Sequence, residues 1–224
     1  MGVLGARQLP VFPLPLVLLP GAMLPLHIFE ERYKLMIMQC MEADKVFGVT
    51  SVSEYDSGVP PLGRVGTMAQ IMALVPLEDG KKNILTLGGL RYRTLEYTEL
   101  KPYLVAEVEI FTDEEESDLE AEMSELKGLY DRASRALKEL NGEALPDLPD
   151  LPEEFSFAVA GAIRMSDSMK QALLEMVSTR KRLKALTQSL KGVIGQYEHR
   201  AEIHSLAKTN GHSTYPVKLE LSEE

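Results

Sequence analysis

Residues 9–36 read LPVFPLPLVLLPGAMLPLHIFEERYKLM. Pro10, Pro13, Pro15, Pro20 and Pro25 lie there among aliphatic side chains. Proline has no N–H to donate and holds φ near one value, so the stretch is not a continuous apolar helix. It reads as two short strands, 9–14 and 23–29, at a sheet edge, joined by a Pro20-Gly21 turn. Directly after it, Tyr33, Met36, Ile37, Cys40 and Met41 fall on one face of a helix over 30–43. Glu30 and Glu31 stand in its first turn, where carboxylates favour the positive end of the helix dipole.

Strand patterns continue outward from this segment, at 46–52, 65–77, 83–87, 92–97 and 104–111. The stretch 54–63 is a loop rich in Pro, Gly, Ser and acids. Asp79-Gly80 is a strong hairpin signal, and Gly88-Gly89 suggests a bulge or corner. Some six short strands around one inserted helix predict a small barrel or strongly curved sheet. The pattern changes at the acidic run 113–116, and everything to about residue 208 reads as helix. Ser117-x-x-Glu120 has the form of a capping box. Leu119, Met123, Leu126, Tyr130, Ala133, Leu137 and Leu140 make the first stripe, closed by Asn141-Gly142. Helices near 153–164 and 168–177 follow, then a long one from about 178, with Leu183, Leu186, Leu190, Val193, Tyr197 and Ala201 on its apolar face. A helical bundle is the expected result. The expected organisation is a barrel domain over 1–112, a bundle over 113–210, and a tail, 211–224, with strand periodicity.

The net charge of −10 disfavours general binding to phosphate backbones. A single cysteine, Cys40, rules out an intrachain disulfide framework and a multi-cysteine zinc site, and fits a reducing, cytoplasmic setting. No apolar run reaches the roughly 18 residues of a membrane helix. His199 and His204 stand five apart and about 140° around a helix, poorly placed to share a metal. Ser168 and Lys170 lack the surroundings of a nucleophilic dyad, and Ser168 reads as a helix cap. Arg180, Lys181, Arg182 and Lys184 read as a solvated basic face pairing with nearby acids. No metal site, cofactor or catalytic residue is expected.

Several motifs in order carry a family resemblance. They are L-P-x-F-P-L and P-G-x-x-L-P-L-x-I-F-E-x-R-Y in the opening stretch, then Val65-Gly66-Thr67 and Asp79-Gly80. Leu85-Thr86-Leu87-Gly88, Leu90-Arg91-Tyr92-Arg93 and Pro102-Tyr103-Leu104-Val105-Ala106-Glu107-Val108 follow. Lys170-Gln171-Ala172-Leu173-Leu174-Glu175 and Arg182-Leu183 complete the set. Together, over about 9–200, they resemble the amino-terminal domain of Lon proteases. The resemblance implies an α+β fold, a PUA-like β-barrel followed by a helical bundle. It also implies a non-catalytic recognition module for polypeptide substrates or degradation signals, with an adaptor or weak chaperone role. Full Lon enzymes add an ATPase and a serine–lysine protease. This sequence has neither the G-x-x-x-x-G-K-[ST] phosphate loop nor the protease segment, so it reads as a stand-alone domain or a fragment.

The expected partners are unfolded or degron-bearing polypeptides and a separate ATPase-protease, with the protein a monomer or weak homo-oligomer. RNA binding by a PUA-like module is the alternative. Another is a protein named for a peptidase family but without activity of its own. Arg91 and Arg93 share one strand face, where they can hold a carboxylate or peptide carbonyl, or pair with Glu30, Glu31 or Glu96. Arg32 and Tyr33 carry the same two readings. Met23 and Met68 are candidates for an adaptable apolar groove.

Overall fold

The computed structural model describes residues 2–53 and 58–209, and the side chains of 206–209 are outside that description. The expected tail strand and residues 54–57 of the expected loop lie outside the described residues. The fold is mixed α+β, with six strands and five α-helices among the described residues. The strands are β1 (Gly2–Leu14), β2 (Met23–Ile28), β3 (Val46–Ser51), β4 (Val65–Pro76), β5 (Lys82–Glu99) and β6 (Leu104–Thr112). The helices are α1 (Glu31–Glu42), α2 (Glu120–Asn141), α3 (Pro152–Ala162), α4 (Asp167–Glu175) and α5 (Thr179–Thr209). The chain divides into two compact units. Unit 1 is Met1–Glu114 with Lys170–Val177, and unit 2 is Glu115–Met169 with Ser178–Glu224. The C-terminal part of α4 is therefore grouped with the strands, where the sequence pattern had placed it with the helices.

In unit 1 the strand order is β2-β5-β4-β3-β1-β6, and β5 also pairs with β6. Five strands thus form a closed circuit of pairings, with β2 attached outside it along β5. The expected edge position of the proline-rich strand is corrected. β1 runs antiparallel to β6 over Gly2–Val11 and parallel to β3 over Val11–Leu14. The handover at Val11 explains how it tolerates proline. Pro10 is paired only with β6 and Pro13 only with β3, so each has one side on which a missing N–H costs no ladder bond. The segment after β1 does not make a hairpin with it. Gly21 N–H instead donates to Gly88 O at 2.8 Å, and Gly88 N–H to Ala22 O at 2.9 Å. A Cβ on Gly88 would stand 2.3 Å from Leu19 O, which is why this crossing needs glycine. β5 is one continuous strand where two were expected. Its register against β4 shifts between Thr67 and Ala69, opposite the two glycines.

Two apolar clusters hold unit 1. Tyr33, Met36, Ile37 and Cys40 of α1 pack on Phe12, Phe47, Val49, Ile71 and Ile84, with Phe12 and Tyr33 rings stacked at 3.9 Å. Each fully buried large side chain contributes roughly 1.5–3 kcal/mol. The second cluster surrounds Tyr92 with Leu9, Val11, Leu104, Ala106 and Val108. Tyr92 is wholly buried, and its hydroxyl lies 2.5 Å from Thr50 Oγ1. Gly48 and Gly66 make room for it, since a Cβ at either would meet the Tyr92 ring or hydroxyl within 2.6 Å.

In unit 2, α2 and α5 pack together, with α3 against both. Most of the expected stripes are buried, but Ile194 lies inside where Val193 was expected, and Met123 is only half-buried. The capping box at Ser117 does not form. α2 begins at Glu120, with Asp118 in the left-handed region (φ 56°) and no side-chain cap. Arg180 draws the segment away, donating to Ser117 O and Asp118 O and pairing with Glu122. The basic run is likewise split. Arg180 and Lys184 reach Glu122, but Arg182 is fully buried over the Phe157 ring at 4.0 Å and donates to Ser156 Oγ at 2.6 Å. Ser166, not Ser168, accepts from the Met169 N–H at the start of α4.

Candidate functional site

Arg91 and Arg93 do share a strand face, both over the Phe111 ring, at 4.8 and 5.6 Å. Their surroundings differ. Arg93 is half-buried, whereas Arg91 is 2% exposed and pairs with the buried Asp113 carboxylate. It also donates to Leu174 O at 2.9 Å and Met176 O at 2.7 Å, at the end of α4. The carbonyl-binding chemistry expected of Arg91 is present, with the chain's own helix end as its object. Of the two readings of Arg91, a ligand-holding group and a strut within the fold, its bonds here belong to the second, with Asp113 as the acid in place of Glu30, Glu31 or Glu96. Gln171 adds a bond from its amide to Val65 O at 3.0 Å, and Glu114 N–H donates to Val177 O at 2.8 Å. Segment 170–177 is thereby fastened to unit 1.

The other expected residues do not converge. Tyr33 is 5% exposed in the α1 core, where burial, foremost, raises its pKa. Arg32 lies over the Tyr33 ring at 4.5 Å and pairs with Glu30 at 2.8 Å. Met68 is partly buried against the Tyr92 cluster. Met23 is exposed, on β2.

The surroundings of Met23 are the chemically distinctive surface of unit 1. Pairing across β2, β5 and β4 sets Met23 beside Leu87 and Gln70, Pro25 beside Leu85 and Ala73, and His27 beside Asn83 and Val75. His27 Nδ1 lies 2.7 Å from Asn83 Oδ1, which confirms the shared face. The opposite face carries Leu24, Leu26, Ile28 and Ile84 into the α1 core. An antiparallel sheet covered on one side ordinarily shows polar residues on the other. Here the other side is apolar at six of those nine positions, with Met23 and Val75 each more than half exposed and Met72 beside them at a bulge in β4. β2 closes the strand order at this end, so among the described residues no strand pairs along its other side and the face has a sheet edge there. A face of this kind can take an apolar, extended chain.

Sequence reasoning missed Pro25, Leu85, Leu87, Ala73 and Val75. The available signal was Ile84-Leu85-Thr86-Leu87, uncharged and with an apolar residue on each alternation, which implies a use for both faces of the strand. Unit 2 offers a cleft of about 440 Å³ along α2 and α5, lined by Arg132, Arg135, Glu139, Glu198 and Glu202. Arg132 and Glu198 are bonded to each other there at 2.8 Å. Among the described residues, no group of three or more His, Cys, Asp or Glu is placed to hold a metal ion. Among them, too, no helix is long and apolar enough to cross a membrane.

Residues 8–192 match the model of the ATP-dependent protease La (LON) substrate-binding domain. Lon protease 2 of Myxococcus xanthus is 28% identical over 193 residues, covering 82% of this chain and 23% of that protein. Lon protease of Syntrophus aciditrophicus is 28% identical over 191 residues, covering 80% and 24%. The chain thus spans about a quarter of the length of the curated relatives it matches. Among solved structures, a Lon N-terminal domain protein from Xanthomonas campestris aligns with a TM-score of 0.57 at 26% identity, covering 80% of this chain and 96% of that one. The N-terminal domain of the Mycobacterium avium complex Lon protease aligns at 0.59 and 15% identity, a likeness of fold alone.

Proposed function

Because the chain belongs to the ATP-dependent protease La (LON) substrate-binding domain family, we propose that it recognises extended, apolar polypeptide segments on the outer face of β2, β5 and β4. The supporting observation is the apolar face on which Met23, Pro25, Ala73 and Val75 are exposed and Leu85 and Leu87 half-buried, beside a sheet edge that no described strand pairs with. In this reading the strand circuit is a PUA-like barrel, and the protein acts as an adaptor or weak chaperone, without catalysis of its own. It hands unfolded or degron-bearing clients to a separate ATPase-protease. A cytoplasmic setting belongs to the same reading, since the single cysteine, Cys40, is a free buried thiol, as suits a reducing compartment. Affinity should be roughly micromolar or poorer, because a general recognition site must release its clients.

The test is titration with reduced, carboxymethylated α-lactalbumin, a permanently unfolded chain. Met23→Ser and Val75→Ser sit on the surface and should leave the fold intact while weakening binding several-fold. Unchanged affinity in both variants would remove this face from consideration.

A further inference from the structure

We infer that Pro25 governs strand addition at the free edge of β2: a foreign extended chain adds there one main-chain bond short, while a second copy of this chain is disfavoured. The inference rests on the polypeptide-binding reading above and concerns how that site binds. In an antiparallel sheet, successive residues send N–H and C=O alternately to one side and the other. Gly88 N–H donates to Ala22 O at 2.9 Å, and β2 continues against β5 from Met23 with Leu87 to Ile28 with Lys82 without a register shift. The Thr86 hydroxyl donates to Leu24 O at 3.0 Å, so that carbonyl faces β5. Leu24, Leu26 and Ile28 therefore bond inward, and Met23, Pro25 and His27 direct their main-chain groups to the open edge. Three carbonyls and two N–H groups face outward there, because Pro25 has no N–H.

An incoming strand with an ordinary residue opposite Pro25 still donates its own N–H to Pro25 O. It loses only the return bond to its carbonyl. A second copy adding antiparallel over the same three residues sets Met23 against His27 and Pro25 against Pro25, and at that central pair neither bond can form. Sliding two residues shortens the overlap and leaves each Pro25 pair one bond short. The net charge of −10 further opposes self-pairing. Met23–Ile28 carries no acidic or basic side chain other than His27. The occupant that fits is an uncharged, apolar segment of another protein, and the missing donor keeps the edge from templating its own aggregation.

The experiment is calorimetric titration with a synthetic twelve-residue peptide alternating Leu and Ser between terminal lysines. Two analogues carry N-methyl groups on all Leu or on all Ser positions, which block opposite edges of the extended peptide. One analogue, chosen by strand direction, should lose at least tenfold in affinity while the other binds like the parent. Pro25→Ala supplies the absent donor, so it should tighten the parent peptide roughly twofold to tenfold, the range of one main-chain hydrogen bond. It should also self-associate in sedimentation more than the unsubstituted protein. Equal binding of both analogues overturns strand addition and leaves the apolar-face reading standing. No binding of any peptide to folded protein sinks both. Unchanged affinity and association in Pro25→Ala overturn the role of Pro25. Should that variant fail to fold, Pro25→Val, which restores the same N–H with a strand-favouring side chain, is read by the same two measurements.

Discussion

Without its guanidinium, position 91 would leave the Asp113 carboxylate buried and two carbonyls at the end of α4 without their donor. Stranding one member of a buried ion pair costs on the order of 3–5 kcal/mol. Arg91→Ala should therefore lower the melting temperature sharply, with affinity for unfolded polypeptide per folded molecule unchanged. Selective loss of affinity with normal stability would return Arg91 to the binding site. Strand alternation alone was enough to read that Arg91 and Arg93 share a face. The fate of Arg91 was hidden because its carbonyl partners lie 83 and 85 residues further on. No local pattern reports a contact at that separation. The same holds for Tyr92 in the space left by Gly48 and Gly66, whose need for glycine shows only once the circuit closes.

At the scale of elements, periodicity located all five helices, because an amphipathic stripe is a local property. Caps were harder to read. The Ser117 capping box was a sound local pattern displaced by Arg180, and the carboxylate that caps a helix here is Glu116. It accepts from the Ser178 hydroxyl at 2.8 Å and the Arg180 N–H at 2.9 Å, at the start of α5. Burial alone would raise the Glu116 pKa, but these bonds and the Arg180 charge outweigh it and hold the group below its ordinary 4.5. A carboxyl with a depressed folded pKa adds stability that is complete above its unfolded value and is lost as pH falls through the folded one. Stability should therefore decline below about pH 4.5. In Glu116→Gln that part of the decline should be absent, and stability at neutral pH should be lower by about 1 kcal/mol. Urea denaturation of both proteins from pH 7 to pH 3 checks this, and parallel curves would count against the cap. At the candidate site, β2 was legible as a strand and Met23 as a candidate. Its neighbours on β5 and β4 were not, since register is set by pairing and not by composition.

For the whole molecule, the sequence marks a boundary near residue 112 but gives no sign that 170–177 belongs with unit 1. Leu173 and Leu174 are buried, and Gln171 bonds to Val65. A fragment ending at residue 114 should be less stable than one with 170–177 joined to it through a flexible linker. The bonds from the Arg91 guanidinium to Leu174 O and Met176 O are each worth roughly 1.5–3 kcal/mol. Equal melting temperatures for the two fragments would show that the helix end is dispensable. Unit 1 is thus interrupted in the chain by residues 115–169. On a ribosome the six strands emerge first and their last component follows some sixty residues later. At about 5–20 residues per second, the nascent strands spend roughly 3–12 s with Arg91 lacking its carbonyl acceptors. Throughout that interval the newborn protein is itself an incomplete, partly apolar chain, the kind of object that the proposed face of β2, β5 and β4 would take up.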